Sequence, residues 1–187
     1  NFAGDSDGDG LANNLEVELG TDPFDNDTDD DGVQDGTDGP LDRDGDGLIN
    51  ALDPDSDNDG LSDGMEQGVT AATAPSDTDT THPNFRPDED PSTTTNWLVA
   101  DTDGDSLIDG AEDANHNGRV DTDETDPNNA DTDDDKLSDG IEVSGENPTD
   151  PLLGAPDSDG LIDGDEDKDF NGRRDTAETD PNIADTD

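Results

Sequence analysis

The sequence predicts a mostly irregular, coil-rich fold: a tandem-repeat array with short turns and little regular helix or strand. Three observations predict it. An acidic twelve-position frame recurs along the chain, apolar residues are too few for a conventional core, and no segment sustains a helical or strand-like apolar period.

Of 187 residues, 57 are acidic and 7 basic, giving a formal charge of -50; only 23% are apolar, and the aromatics are 1 Trp and 4 Phe. Composition alone therefore reads as disorder. Burial stabilises by about 25 cal/mol per Å2 of apolar surface, and this chain has too little of that surface to fold on it alone. The charge disfavours nucleic acid and anionic membrane surfaces as partners and favours cations. No apolar run reaches the roughly 18 residues of a membrane span. The absence of cysteine excludes disulfides and thiolate metal sites. The sequence opens at Asn1 with neither Met nor a signal peptide, which reads as a processed product or a fragment.

Order overrides composition. The stretch DSDGDGLANNLE, starting at Asp5, sets a frame that returns at Asp27, Asp42, Asp55, Asp101, Asp113, Asp131 and Asp167, and at Ala155 with its first acid missing. A longer unit, LIDGAEDANHNGRVDTDETDPNNADTD (107–133), returns as LIDGDEDKDFNGRRDTAETDPNIADTD (161–187) with 20 of 27 positions identical. Random acidic low complexity does not keep such register. Residues 1–66 thus hold four frames and 101–187 hold five, with a further frame cut short at Asp185, Thr186 and Asp187. Between them, 67–100 is a Pro/Thr-rich insertion or linker. Its NWLVA stretch (96–100) reads as local packing that pins the loop, or as an exposed partner patch.

In the first frame, carboxylates stand at positions 1, 3 and 5 (Asp5, Asp7, Asp9), glycine at 6, an apolar residue at 7 (Leu11) and a carboxylate at 12 (Glu16). A hard cation such as Ca2+ takes about 6 to 8 oxygens, and a loop of this spacing supplies them from 1, 3 and 5, the backbone carbonyl at 7 and a bidentate carboxylate at 12. Glycine at 6 permits the sharp turn that aims them inward. The next frames offer Asp27, Asp29, Asp31, Val33 and Asp38, then Asp42, Asp44, Asp46, Leu48 and Asp53, then Asp55, Asp57, Asp59, Leu61 and Glu66. After the insertion come Asp101, Asp103, Asp105, Leu107 and Glu112, followed by Asp113, Asn115, Asn117, Arg119 and Glu124, and by Asp131, Asp133, Asp135, Leu137 and Glu142. The frame at Ala155 keeps Asp157, Asp159, Leu161 and Glu166, and the last offers Asp167, Asp169, Asn171, Arg173 and Glu178. Ser106 and Lys136 replace glycine at position 6, and Ala155 supplies no ligand.

Nine ions would offset roughly 18 of the negative charges and two per frame roughly 36, so nine or more Ca2+ are expected. Position 9 is Asn or Asp in every frame (Asn13, Asp35, Asn50, Asp63, Asp109, Asp121, Asp139, Asp163, Asp175), a candidate second-site or bridging ligand. The aspartates of the TDP turns, Asp22, Asp126, Asp150 and Asp180, read either as such ligands or as turn formers. Zinc is disfavoured by the lack of cysteine and by only two histidines. Magnesium retains water and takes fewer protein oxygens.

An EF-hand needs an amphipathic helix on each side of its loop, a dockerin needs helix room between loops, and RTX repeats are glycine-rich nonapeptides; the spacing here fits none of them. DSDGDGLANNLEVELGTDPFDNDTDDDGVQDG (5–36) and DSDNDGLSDGMEQG (55–68) resemble thrombospondin type 3 repeats in their bacterial form. The resemblance covers nearly the whole chain outside 69–99. It implies irregular chain wrapped around a row of calcium ions, and an extracellular stalk, spacer or adhesive segment of a secreted or cell-surface protein. Animal members carry disulfides that this chain lacks, which places more of its stability on metal. Two alternatives follow: a subunit of a self-assembling calcium-dependent fibre, with self-association or other extracellular proteins or glycans as partners, and a merely solvated acidic tract. A catalyst is not expected, because no nucleophile, base and orienter come together.

Overall fold

The computed structural model describes residues 4–184; the additional frame expected at 185 lies outside them. Among the described residues, six short helices punctuate otherwise irregular chain: α1 Asn13–Leu19, α2 Asp35–Asp38, α3 Asp63–Glu66, α4 Asp109–Glu112, α5 Asp139–Ser144 and α6 Asp163–Glu166, with one 3-10 turn at Asn50–Leu52. No strand occurs among the described residues. Every α-helix starts at position 9 of a frame and contains its position 12. The sequence pattern therefore predicts the irregular fold correctly, and what helix there is belongs to the frame. Helices of four to seven residues lie below the length that is stable alone, so tertiary contacts must hold them.

The frames share one backbone. Position 6 has positive φ in all nine, from 68° to 107°, and so has position 4, from 55° to 86°. Glycine fills many of these places, but Asp30, Asn58, His116, Asp134, Ser158 and Phe170 take the left-handed conformation at position 4, and Ser106 and Lys136 take it at position 6. The loop is closed by the position 9 amide, which donates to the carbonyl of the residue before the frame: Asn13 to Gly4 at 2.8 Å, Asp35 to Asn26 at 3.1 Å, Asp63 to Pro54 at 3.1 Å, Asp139 to Ala130 at 3.2 Å. The frame at Ala155 closes in the same way, Asp163 to Gly154 at 3.3 Å, despite its missing acid.

The chain divides into two compact units. One runs to Ala100 and takes in Ala114–Arg119; the other comprises Asp101–Asp113 and the chain from Val120 onward. Within each, frames dock through an Asp-Gly pair at positions 9 and 10, in two of four cases across an intervening frame. Gly36 lies so close to the Asp9 carbonyl, and Gly64 to that of Asp31, that a Cβ on either would overlap the oxygen. Gly140 on Asp105 and Gly164 on Asp135 repeat the contact in the second unit. The buried apolar side chains are Val33, Ala51, Leu61, Met65, Phe85 and Leu137, and buried Asp and Glu outnumber them. Leu15 and Val17 of α1 are exposed, so even the longest helix has no apolar face to bury.

Residues 67–100 fold back on the frames at Asp27 and Asp55. The Asp88 amide donates to the Val69 carbonyl at 2.9 Å, drawing the ends of the intervening loop together. Phe85, 7% exposed, and Val69 both flank Gly32. Asn84 donates to the Asp29 carbonyl at 2.6 Å, and the Arg43 guanidinium to the Leu98 carbonyl at 2.7 Å.

Candidate metal centre

The loop conformation follows from how each carboxylate divides its two oxygens. At position 5, Oδ1 accepts the amide two residues on: Leu11 to Asp9 at 2.7 Å, Val33 to Asp31 at 2.6 Å, Leu48 to Asp46 at 2.7 Å, Leu61 to Asp59 at 2.8 Å, Leu107 to Asp105 at 2.7 Å, Leu137 to Asp135 at 2.8 Å, Leu161 to Asp159 at 2.9 Å. At position 3, Oδ1 accepts the position 5 amide, as from Asp31 to Asp29 at 3.3 Å and from Asp105 to Asp103 at 3.2 Å. At position 1, Oδ2 accepts the position 6 amide: Gly32 to Asp27 at 3.1 Å, Gly60 to Asp55 at 3.0 Å, Ser106 to Asp101 at 3.0 Å, Lys136 to Asp131 at 2.9 Å, Gly172 to Asp167 at 2.7 Å. The opposite oxygens of Asp7, Asp9, Asp29, Asp31, Asp103, Asp135 and Asp157 are buried and have no hydrogen-bond partner among the described residues. One oxygen holds the turn and the other is kept out of the solvent without a donor, an arrangement that a solvated acidic turn does not need.

The carboxylate oxygens converge. Asp5, Asp7 and Asp9 place ligand atoms within 4.8 Å of one another, as do Asp27, Asp29 and Asp31, then Asp42, Asp44 and Asp46, and Asp55, Asp57 and Asp59. Asp9, Glu16 and Asp35 form a group of the same spacing across two frames, all three buried. Position 9 of the frame at Asp27 thus joins positions 5 and 12 of the frame at Asp5.

Position 12, like position 9, is deeply enclosed in most frames. Glu16 and Glu166 are 0% exposed, Glu142 1%, Glu66 and Glu112 2%. Neither Glu16 oxygen has a hydrogen-bond partner among the described residues, nor do Glu66 Oε2, Glu142 Oε2 and Asp38 Oδ1. Burial, followed by repulsion from Asp7, Asp9 and Asp35, pushes the Glu16 carboxyl up to about 7. Burial and neighbouring aspartates raise Glu142 and Glu112 to about 8, and Glu66 and Asp38 to about 10. Asp29 rises to about 8 from burial and the Asp27 charge, and Asp31, buried beside Asp29, is likewise pushed well up. At neutral pH these cages demand either protons or a cation.

The remaining frames are more open. Asp42, Asp46 and Leu48 are exposed, and Asp53, raised to about 6 by burial and by Asp46 and Asp44, is half-buried. In the last frame Asp167 is buried, whereas Asp169, Asn171 and Arg173 are exposed, and both Glu178 oxygens accept amides, from Lys168 at 3.1 Å and Asp175 at 2.8 Å. The frame at Asp113 is divided between the units, with Asn115, Asn117 and Arg119 in the first and Asp113 and Glu124 in the second. Asn117 holds its turn as an aspartate would, accepting the Arg119 amide at 2.8 Å. In the second unit Asp133 joins Asp131 and Asp135, and burial with the Asp135 charge raises it to about 6.

Three roles escape the ligand pattern. Position 2 is a clamp: Thr28, Ser56, Thr102 and Thr132 donate both amide and hydroxyl to the position 9 aspartate of their own frame, as Ser56 does to Asp63 at 2.8 and 2.5 Å. Glycine at position 10 is the docking point between frames. Asp22, Asp126, Asp150 and Asp180 each accept the amide two residues on, at 3.0 to 3.2 Å, which is the turn-forming role. The recurrence of Ser/Thr at 2 and of Asp-Gly at 9 and 10 was the available signal.

A sequence model of the family described as the bacterial TSP3 repeat matches residues 5–26 and 55–67. No curated protein and no solved structure matches the chain. The matched segments contain the frames at Asp5 and Asp55, whose backbone the other frames share at positions 4 and 6. Family and acidic clusters together suit Ca2+.

Proposed function

Because the chain carries repeats of the thrombospondin type 3 family in their bacterial form, we propose that its frames form a calcium-rigidified structural array, an extracellular stalk, spacer or adhesive segment. The observation that carries this reading is Glu16: fully buried, with neither oxygen bonded to the described protein, and beside Asp9 and Asp35. An ion held by positions 1, 3, 5 and 12, with the position 7 carbonyl, would neutralise each loop. A second, held by positions 5 and 12 with position 9 of the frame docked on them, would join the two loops.

Metal then supplies the folding free energy that apolar burial does not. Without it, facing carboxylates repel and the loops open; with it, each loop is cross-linked internally and to its neighbour. Sites of this chemistry in extracellular modules bind at about 10^-4 to 10^-3 M, a range that extracellular calcium fills. No helix among the described residues is long and apolar enough to cross a membrane. Repeats of this family are structural calcium-binding modules rather than enzymes.

Small-angle scattering and far-UV circular dichroism in millimolar calcium and in chelator test the reading, with native mass spectrometry counting ions. Compaction on adding calcium is expected, with nine or more ions bound. Identical profiles in the two conditions would overturn it.

A further inference from the structure

We propose that the 67–100 insertion is a loop closed by calcium, in which Thr95 positions Glu66 and Thr78 positions Asp27 for their ions, so that the insertion stays docked only while those ions are bound. This rests on the calcium reading above.

The basis is a matched pair of contacts. After the frame at Asp131, Thr149 turns back on Glu142 seven residues away: its amide donates to the Glu142 carbonyl at 3.1 Å and its hydroxyl to Oε1 at 2.9 Å. After the frame at Asp55, the residue that makes these two bonds to Glu66, at the same 3.1 and 2.9 Å, is Thr95, 29 residues away. The insertion therefore stands between a frame and the threonine that completes it. In both cases the hydroxyl takes Oε1 and leaves Oε2 buried without a hydrogen-bond partner among the described residues. A donor fixed on one oxygen orients the other toward the ion.

A second tie lies in the middle of the insertion. Thr78, 8% exposed, donates its hydroxyl to Oδ2 of Asp27, which is 0% exposed and whose Oδ1 has no hydrogen-bond partner among the described residues. The next amide, of Asp79, donates to Asp30 Oδ1 at 2.6 Å. Phe85 is the only apolar side chain of 67–100 that is buried among the described residues, so apolar packing contributes little to docking. The insertion is held by acceptors on the loops, and those acceptors are in place only while the loops are closed. Linkage makes the effect mutual: an insertion that docks better on the ion-bound frames raises their calcium affinity by the same factor.

Hydrogen exchange of the full chain across a calcium titration reads each segment separately. The midpoint at which peptides from 55–66 and 67–100 become protected should rise about tenfold in Thr95→Val, the cost of losing an outer partner of a metal ligand, while peptides from 131–142 keep theirs. Thr78→Val should shift peptides from 27–38 and deprotect 76–86. Thr95→Ser should restore the wild-type midpoint, since it restores the hydroxyl. Thr149→Val should shift 131–142 alone. Protection of 67–100 that is independent of calcium, or a Thr95→Val midpoint within twofold of wild type, would overturn the proposal. Failure of the underlying calcium reading looks different: no segment of the wild type would gain protection with calcium.

Discussion

The Thr28 hydroxyl donates to Asp35 Oδ2 at 2.6 Å while its amide donates to Oδ1 at 2.8 Å, so one residue fixes both oxygens of a wholly buried carboxylate. Thr132 holds Asp139 in the same way, at 2.6 and 2.9 Å. Thr132→Val keeps the shape and the amide bond and removes only the hydroxyl, leaving a buried acceptor short of a donor. Calcium-saturated stability should fall by about 1 to 3 kcal/mol, read as a lower urea midpoint at unchanged slope. A midpoint equal to that of wild type would show that the clamp contributes nothing.

Glycine at position 10 meets a carbonyl with no room for a methyl group. In Gly140→Ala the new Cβ would overlap the Asp105 carbonyl, and in Gly64→Ala that of Asp31, backbone atoms that cannot step aside. Each should cost roughly 2 to 4 kcal/mol and loosen the junction between two frames. Gly45→Ala is the contrast: it has open space, and its strain comes only from φ of +84°, which costs about 1 kcal/mol. Equal losses for Gly45→Ala and Gly140→Ala in thermal unfolding with calcium would refute the docking role.

The acidic frames were legible because their residues recur at fixed intervals: Asp5, Asp7, Asp9 and Glu16 point to a hard cation, and the structure brings oxygens of the three aspartates within 4.8 Å of one another. The group joining Asp9, Glu16 and Asp35 was legible only as spare charge, since no local spacing indicates which frame a position 9 side chain will meet. Thr95 was hidden for a related reason. Its contact with Glu66 spans 29 residues, and the sequence near it shows only a Thr-rich run. Hydrogen bonds of long sequence separation leave no periodic trace, whereas frames do.

Replacing Glu16 by glutamine should have opposite effects in the presence and absence of metal. The side chain is fully buried beside Asp7, Asp9 and Asp35, so its charge opposes the closed form when no cation is present. In chelator, Glu16→Gln relieves that repulsion and the chain should become slightly more compact. In calcium, it removes a bidentate ligand, and the affinity of the first frame should fall by at least about tenfold. Calorimetric titration reads the second effect and scattering the first. A variant that is weakened equally in both conditions would assign Glu16 a packing role.

The raised carboxyl groups also set a pH dependence that bound metal removes. Glu16 at about 7, and Glu142 at about 8, hold protons in the metal-free closed form that the open chain releases near 4.5. The closed form therefore binds more protons than the open one across that interval, and its stability in chelator must fall as pH rises. Its proton-linked stabilisation is complete below about 4.5 and lost as pH passes through about 7 to 8. With saturating calcium the same oxygens carry ions and stay ionised, so the closed form holds no more protons than the open chain and its stability is flat over that range; it rises with pH only near and below about 4.5, where the open chain takes up protons. Scattering-derived radii measured from about pH 5 to pH 8 should therefore grow with pH in chelator and stay constant in calcium. An equal growth in both conditions would mean that these carboxylates do not hold the ion.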